Sequence, residues 1–555
     1  MEYLTIPIIT LPIIILAIIF INSKIKADKK LKLQLLSSSG VPPNEEEYEL
    51  ESIKKYSNYK KAHVVDELRI DDITWNDLNM DKVFRRINVC LTSIGEEYLY
   101  NCLHELQTEP SSLLEREKII EFFTANSEER LTAQFCLAKM GKVKDNGLTS
   151  LIFNPDIKLF DYPLIFDFLS IVPLLCVLTL FYSIPIGIFC IMLSFLINLA
   201  VYIKSKRKVD VETPIVGYFA AVLYCCKKLC RINSMGLLPL MAELKSKYGI
   251  FKSLEGKLPL PRAITGDIIE ALYEYLNILF LIDIRNYNKY TKMIIRYNND
   301  FYSLYKAIGE LDLALCLLSF RKSLQLFSVP EFHKQNTIEF EELSHPLIPS
   351  PVRNTGTLTN DSLITGSNAS GKSTFIKALA INGILAQTIY TSTAKKFKTR
   401  FSMIATSMAM RDDVFAGDSY FIVEVKSLKR ILDLVQKYPC TCYIDEILRG
   451  TNTIERIASS ASVLEYLHLQ DCLCVVASHD IELTNILADK YDNFHFCEQI
   501  TDDEITFDYK LKQGVSRTRN AIKLLKLMGF NSEIVKKAEE LSLEYDKNKN
   551  KIVNR

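Results

Sequence analysis

From Tyr3 to Ser23 the chain carries no charged residue, and the run ITLPIIILAIIFI within it is apolar on every face. A stretch of about 20 such residues suffices to cross a bilayer core. Lys24, Lys26, Lys29 and Lys30 follow at once, and the positive-inside rule then leaves the N-terminus outside and the rest of the chain in the cytosol. A cleaved signal peptide is the competing reading, but the basic n-region and small-residue cleavage site are missing. A second apolar block, Leu164 to Ile203, has Asp167 as its only charge. As a single helix it would be about 60 Å long, twice the hydrocarbon thickness. Two spans joined at Ser183-Ile184-Pro185-Ile186-Gly187 fit better, with Lys204, Lys206, Arg207 and Lys208 marking the exit. The alternative is a buried hairpin inside a large protein core.

Elsewhere the apolar period is helical. Val83, Ile87, Leu91 and Ile94 lie on one face of the segment Asp71 to Leu103, as a packed helix requires. Helical patterning resumes from 209 to 330, broken at Lys257 to Pro261, and Tyr305 to Leu326 reads as one long helix. Glu310 and Asp312 in it read as a solvated face. Ser37 to Glu49, with Gly and two prolines, reads as a linker. Past residue 340 the pattern changes to short apolar runs of strand length: Ser362 to Ile364, Cys442 to Ile444 and the run CLCVVA, which ends just before Ser478 and His479.

Composition narrows the partners and the compartment. With 67 basic and 66 acidic residues the formal charge is +1, so any nucleic-acid contact must come from a local patch. The 14 cysteines form no CxxC pair; those at 440, 442, 472 and 474 alternate along strands as small core residues of a reducing compartment. The seven histidines are scattered, and none has zinc-ligand spacing with a cysteine.

The stretch LITGSNASGKSTFIKAL carries the chemistry. Gly366, four residues, then Gly371, Lys372 and Ser373 have the spacing of a phosphate-binding loop between a buried strand and a helix. Backbone N–H groups of Gly366, Ser367, Asn368, Ala369, Ser370, Gly371 and Thr374, with Lys372, would cradle ATP phosphates at the helix N-terminus. Ser373 would complete a Mg²⁺ shell. In CTCYIDEILRGT, a strand leads into Asp445 and Glu446, as for a Mg²⁺-holding aspartate and a glutamate that deprotonates water. His479 follows a third strand in the order expected of a γ-phosphate sensor.

Together these residues resemble the MutS-type ATPases of the ABC-like class. The resemblance lies in TGSNASGKST, in Gln387 within LAQTIY, in DDVFAGDSYFIVEV, in YIDEILRGTNTIE and in ASHDIELT, over about 220 residues. It implies that Asp412, Asp413, Gly417, Ser419, Phe421 and Glu424 form an acidic pair and signature segment, with Ser419 reaching the partner subunit's nucleotide. Gln387 is implied at the nucleotide, and His345-Pro346 near it. Ser367, Ala369 and Ser370 stand where the family commonly has Pro, Met and Gly; Tyr420 replaces a threonine and Asp480 a tyrosine. The mismatch-recognition domain, with its Phe-x-Glu motif, has no room before Asp71, and Phe340-Glu341-Glu342 lies beside the ATPase strand.

The resulting expectation is an α/β P-loop ATPase domain preceded by an all-α core and lever, with transmembrane helices at the N-terminus and inserted in the helical region. The expected boundaries are a transmembrane helix over 1–23, a linker over 24–60, helical core over 61–160, and a transmembrane hairpin over 164–203. Core and lever resume over 209–330, and the ATPase follows over 331–555, with a C-terminal helical unit that pairs subunits. Glu446, His479 and Ser419 are the expected catalytic residues, and Ser373 and Asp445 the expected metal ligands. The expected function is a membrane-anchored, dimeric, ATP- and Mg²⁺-dependent ATPase, cytosolic apart from its spans and coupled to double-stranded DNA. Its rivals are a membrane machine whose cycle moves the spans without DNA and a scaffold with a degenerate ATPase.

Overall fold

The computed structural model describes residues 5–43, 50–63, 68–143, 147–153, 160, 163–209, 213–232, 238–252, 275–367, 370–408, 420–500, 505–515 and 521–553. The chain divides into two compact units. One, helical, comprises Met1–Asp66, Ile87–Cys102 and Leu114–Ser323; the other comprises Glu67–Arg86, Leu103–Leu113 and Leu324–Arg555.

The helical unit is organised on the helix Asn298–Ser323, buried along most of its length. Glu310 and Asp312 do not form the solvated face expected of them. Asp312 is fully buried, and its carboxylate accepts the N–H groups of Leu91 and Thr92 and the Thr92 hydroxyl at 2.6–3.1 Å. Glu310 pairs with Arg116. Arg321 forks onto both oxygens of Glu117 at 2.7 Å. Charges at helical spacing look solvated in a sequence; here the partners come from residues about 200 positions away, which no local period can display.

The N-terminal apolar stretch lies in a helix, Thr5–Ser37, that continues through the lysines, and a second helix covers Leu50–His63. The linker expected over 24–60 is thus largely helical. Its first part is held by packing, with Asp28 paired to Lys139 and Lys32 over the Phe135 ring. The inserted block forms an antiparallel hairpin of helices Pro163–Leu178 and Ile184–Val209. The chain turns through Thr179–Phe181, earlier than the expected joint, because Pro185 fits the first turn of a helix, where its missing N–H costs nothing. Two stretches, Leu164–Phe181 and Ile184–Ser205, are long and apolar enough to cross a membrane. Asp167 pairs with Arg285 at 2.8 Å. Asn198 donates to the Leu169 and Leu279 carbonyls at 3.1 and 2.7 Å.

Besides the two-stranded hairpin of β10 (Glu498–Ile500) and β11 (Ile505–Phe507), the second unit holds a six-stranded sheet in the order β12-β9-β4-β8-β7-β6. Its strands are β4 (Ser362–Thr365), β6 (Met403–Ser407), β7 (Cys440–Asp445), β8 (Cys472–Ala477), β9 (Asp492–His495) and β12 (Lys512–Gln513). All pairs are parallel except β12 with β9. β4, β7 and β8 are buried on both faces, which is why they read as mostly apolar runs without a polar face. A smaller sheet, β1-β5-β2-β3, is built from Glu331–Phe332, Lys396–Thr399, Ile338–Leu343 and Asn354–Leu358. The helix Asp72–Asp77 belongs to this unit, with Thr406 bonded to Asp77.

Candidate active site

Register fixes where the chemistry meets. Ile364 of β4 lies beside Ala477 of β8, and Ala477 beside Asp445 of β7. The loop after β4, the acidic pair after β7 and Ser478-His479 after β8 therefore emerge at one edge, the carboxyl ends of parallel strands, where such sheets bind ligands. The Glu446 N–H donates to the Ala477 carbonyl, and the Ser478 N–H to that of Ile364, each at 3.0 Å.

In the loop, Gly366 has φ +140° and a Cβ there would stand 2.5 Å from the Phe496 carbonyl, so only glycine fits. Gly371, at φ +99°, caps the helix Lys372–Ile389. Lys372 is buried and its ammonium donates to the Gly366 and Ser367 carbonyls at 2.7 and 2.8 Å. Burial pulls it down to about 8, against Glu446 and Asp445, which push the other way. The Ser370 hydroxyl donates to the Ser367 carbonyl at 2.7 Å. Ser373 and Thr374 sit in the first helical turn, half-buried and exposed respectively. Asn368, Ala369, Asp412, Asp413, Gly417 and Ser419 lie outside the described residues.

Asp445 is buried, and its Oδ1 has no hydrogen-bond partner among the described residues. A buried carboxylate oxygen without a donor is costly, and it suits a cation. The described residues hold no cluster of three or more His, Cys, Asp or Glu that could bind a metal. A site of one carboxylate and one hydroxyl matches Mg²⁺, which keeps most of its waters.

Glu446 stands at φ +60°. Its Oε1 accepts from His479 Nε2 at 2.8 Å and its Oε2 pairs with Arg449. Burial pushes Glu446 up, but hydrogen bonds and charge from His479 and Arg449 outweigh it, so the carboxyl lies below its usual range. His479 and Glu446, expected in separate roles, are thus joined. Arg449, three residues on, was not singled out from the sequence; its signal was a cation within the tight turn after the carboxylate. Glu424 accepts the Arg449 N–H at 3.2 Å, and Phe421 abuts Gly450, so two residues of the helix Tyr420–Val435 brace this turn. Glu498, also not anticipated, accepts the Ser367 hydroxyl at 3.1 Å. Asp480, in the place of the family's tyrosine, is forked by Arg456 at 2.6 and 2.9 Å.

Gln387 is not brought to the loop. It lies on the same helix as Lys372, fifteen residues along, or about 22 Å at 1.5 Å per residue. Buried there, it accepts the Ser402 N–H at 2.8 Å and donates to the Gly383 carbonyl, which is a structural task. His345 is held down to about 4 by burial and by the Lys377 charge, and its Nδ1 accepts the Leu347 N–H.

A glycine-rich loop capping a helix, beside a strand ending in Asp-Glu at the same sheet edge, defines a P-loop nucleotide-binding domain. Residues 362–546, a third of the chain, match the family described as MutS domain V. It is 28% identical over 260 residues to the DNA mismatch repair protein MutS of Staphylococcus haemolyticus, covering 44% of this chain and 29% of that protein. With the protein of the same name from Natronomonas pharaonis it shares 31% over 183 residues, 32% of this chain and 21% of that one. The chain thus spans less than a third of the length of these relatives.

Proposed function

We propose that this chain is a membrane-anchored ATPase of the MutS type that works as a dimer and couples its nucleotide cycle to double-stranded DNA. The observation that carries the nucleotide reading is the Asp445 Oδ1, without a hydrogen-bond partner among the described residues, at the sheet edge where the Lys372 loop and Glu446 also emerge. Lys372 and the loop amides hold the phosphates. Ser373 and Asp445 hold a Mg²⁺ that offsets phosphate charge when bound. Glu446 accepts the proton of the attacking water through lone pairs that His479 and Arg449 leave free; His479 holds that carboxylate in place and reports on the γ-phosphate. Ser419 completes the site of the partner subunit. The names of the relatives support the DNA coupling.

The membrane reading rests on exposure. Phe181 and Tyr182 at the hairpin tip are each 89% exposed, and Leu164 is 78% exposed, far more contiguous apolar surface than a protein in water tolerates. Aromatic residues at the tip suit the bilayer interface. A second reading, in which the cycle moves the spans without DNA, is favoured by the Asp167–Arg285 and Asn198 links between the hairpin and the segment from Leu279 onward.

ATPase rates of the purified full chain in detergent, with and without duplex DNA at two salt concentrations, separate the readings. DNA stimulation that fades steeply with salt is expected; DNA-independent turnover favours the second. Glu446→Gln should retain ATP binding and lose turnover by about 100-fold or more, and unchanged turnover removes Glu446 from the mechanism.

A further inference from the structure

The nucleotide-binding unit contains a piece of chain encoded far from it. Lys377, on the phosphate-loop helix, donates to the Asp77 carbonyl at 2.7 Å across 300 residues of sequence. The Asp77 carboxylate accepts the Thr406 hydroxyl at 2.7 Å and the Met408 N–H at 3.1 Å, at the carboxyl end of β6. Six residues earlier, Asp71 caps its own helix by accepting the Thr74 N–H and pairs with Arg430 of the helix Tyr420–Val435. Arg430 also binds the Thr406 carbonyl and the Thr74 hydroxyl. Trp75 stacks on His104 with ring centroids 3.6 Å apart, which fixes the short helix from its other side.

The gripped helix is the one that braces the catalytic turn. Its Glu424 receives the Arg449 N–H, and Arg449 pairs with Glu446. Asp71 directly and Asp77 through Thr406 thus connect to Arg430, and Glu424, six residues before Arg430 on the same helix, connects that helix through Arg449 to the carboxylate that the proposed function makes the base. Apart from the helix segment between Arg430 and Glu424, these links are direct hydrogen bonds and ion pairs, so a shift of the helix Asp72–Asp77 has few soft places in which to be absorbed.

We propose that Asp77, with Asp71, is a positioning residue for ATP hydrolysis: the helix Asp72–Asp77 sets the helix Tyr420–Val435 and, through Glu424 and Arg449, the orientation of Glu446. The chain leaves this helix through Met80–Ile87 for the helical unit, one of five places where it passes between the two units. The inference rests on the ATPase reading and adds the group that governs its catalytic step.

The test uses the full chain in detergent. Asp77→Asn, which keeps shape and removes charge, should leave the affinity for a fluorescent ATP analogue within about twofold and lower kcat about tenfold. Combined with Glu424→Gln, the loss should fall short of the product of the single losses, as residues on one route require. Thr406→Val removes one Asp77 bond at nearly constant volume and should reproduce a smaller kcat loss with the same analogue affinity, which covers the case in which Asp77→Asn does not fold. Unchanged kcat in Asp77→Asn or Thr406→Val, or fully multiplicative losses with Glu424→Gln, overturns the proposal. Absent turnover in the wild type, with Glu446→Gln indistinguishable from it, overturns the ATPase reading instead.

Discussion

The strands β7 and β8 and the helices of the hairpin are both written in nearly unbroken apolar letters, yet they meet opposite surroundings. Cys440–Asp445 and Cys472–Ala477 are buried at every position, whereas only 11% and 17% of the hairpin's two apolar stretches is buried. Length separates them: six residues at about 3.3 Å make a sheet core, while 18 and 22 residues at about 1.5 Å reach 27 and 33 Å. One class of apolar run is solvated by the protein itself. The other lies mostly outside the protein's own core.

The contrast can be broken most severely in the sheet. Val475→Asp in β8 places an unpaired charge among fully buried neighbours and should cost at least about 4 kcal/mol, read as loss of folded nucleotide-binding unit by limited proteolysis. Leu175→Arg, on the exposed face of the hairpin, should leave that unit intact and cost about 2.5–3.5 kcal/mol of insertion, read as a shift out of the membrane fraction; unaltered fractionation would mean that the hairpin does not face lipid. Asp312 sharpens the comparison from within the helical unit. Burial pushes it up to about 6, only partly offset by the Leu91 and Thr92 donors. Its folded pKa exceeds its unfolded one, so its contribution to stability is full below about pH 4 and is lost as pH rises through about 6. Wild type minus Asp312→Asn should therefore show a melting temperature that falls between pH 4 and 6.5, worth one to three kcal/mol in order of magnitude. A flat difference would place its titration elsewhere.

What could be read from letters alone follows the same division. The phosphate loop and the strands around it are legible because their signals are local: glycine where backbone must approach backbone, and apolar runs of strand length. Gln387 was taken to the nucleotide by resemblance, although the rise of its own helix carries it away from Lys372. The burial of Asp312 and the pairing of Glu310 were not legible, since their partners are distant in sequence and a buried charge looks like a surface one until its donors are known. The lysines after Ser23 read as the start of a linker, but packing against Phe135 and Lys139 keeps them helical. Nothing in the period of residues 67–86 assigns them to the sheet unit; Asp71 and Asp77 are common helix-capping letters, and only their meeting with Arg430 and Thr406 gives them a second employment.

That split composition sets an order of events on the ribosome. Glu67–Arg86 and Leu103–Leu113 emerge early, but the rest of their unit begins only at Leu324. At about 5–20 residues per second they wait roughly 10–40 s for it. The apolar hairpin is translated within that interval, so its two helices can form before the other unit has closed.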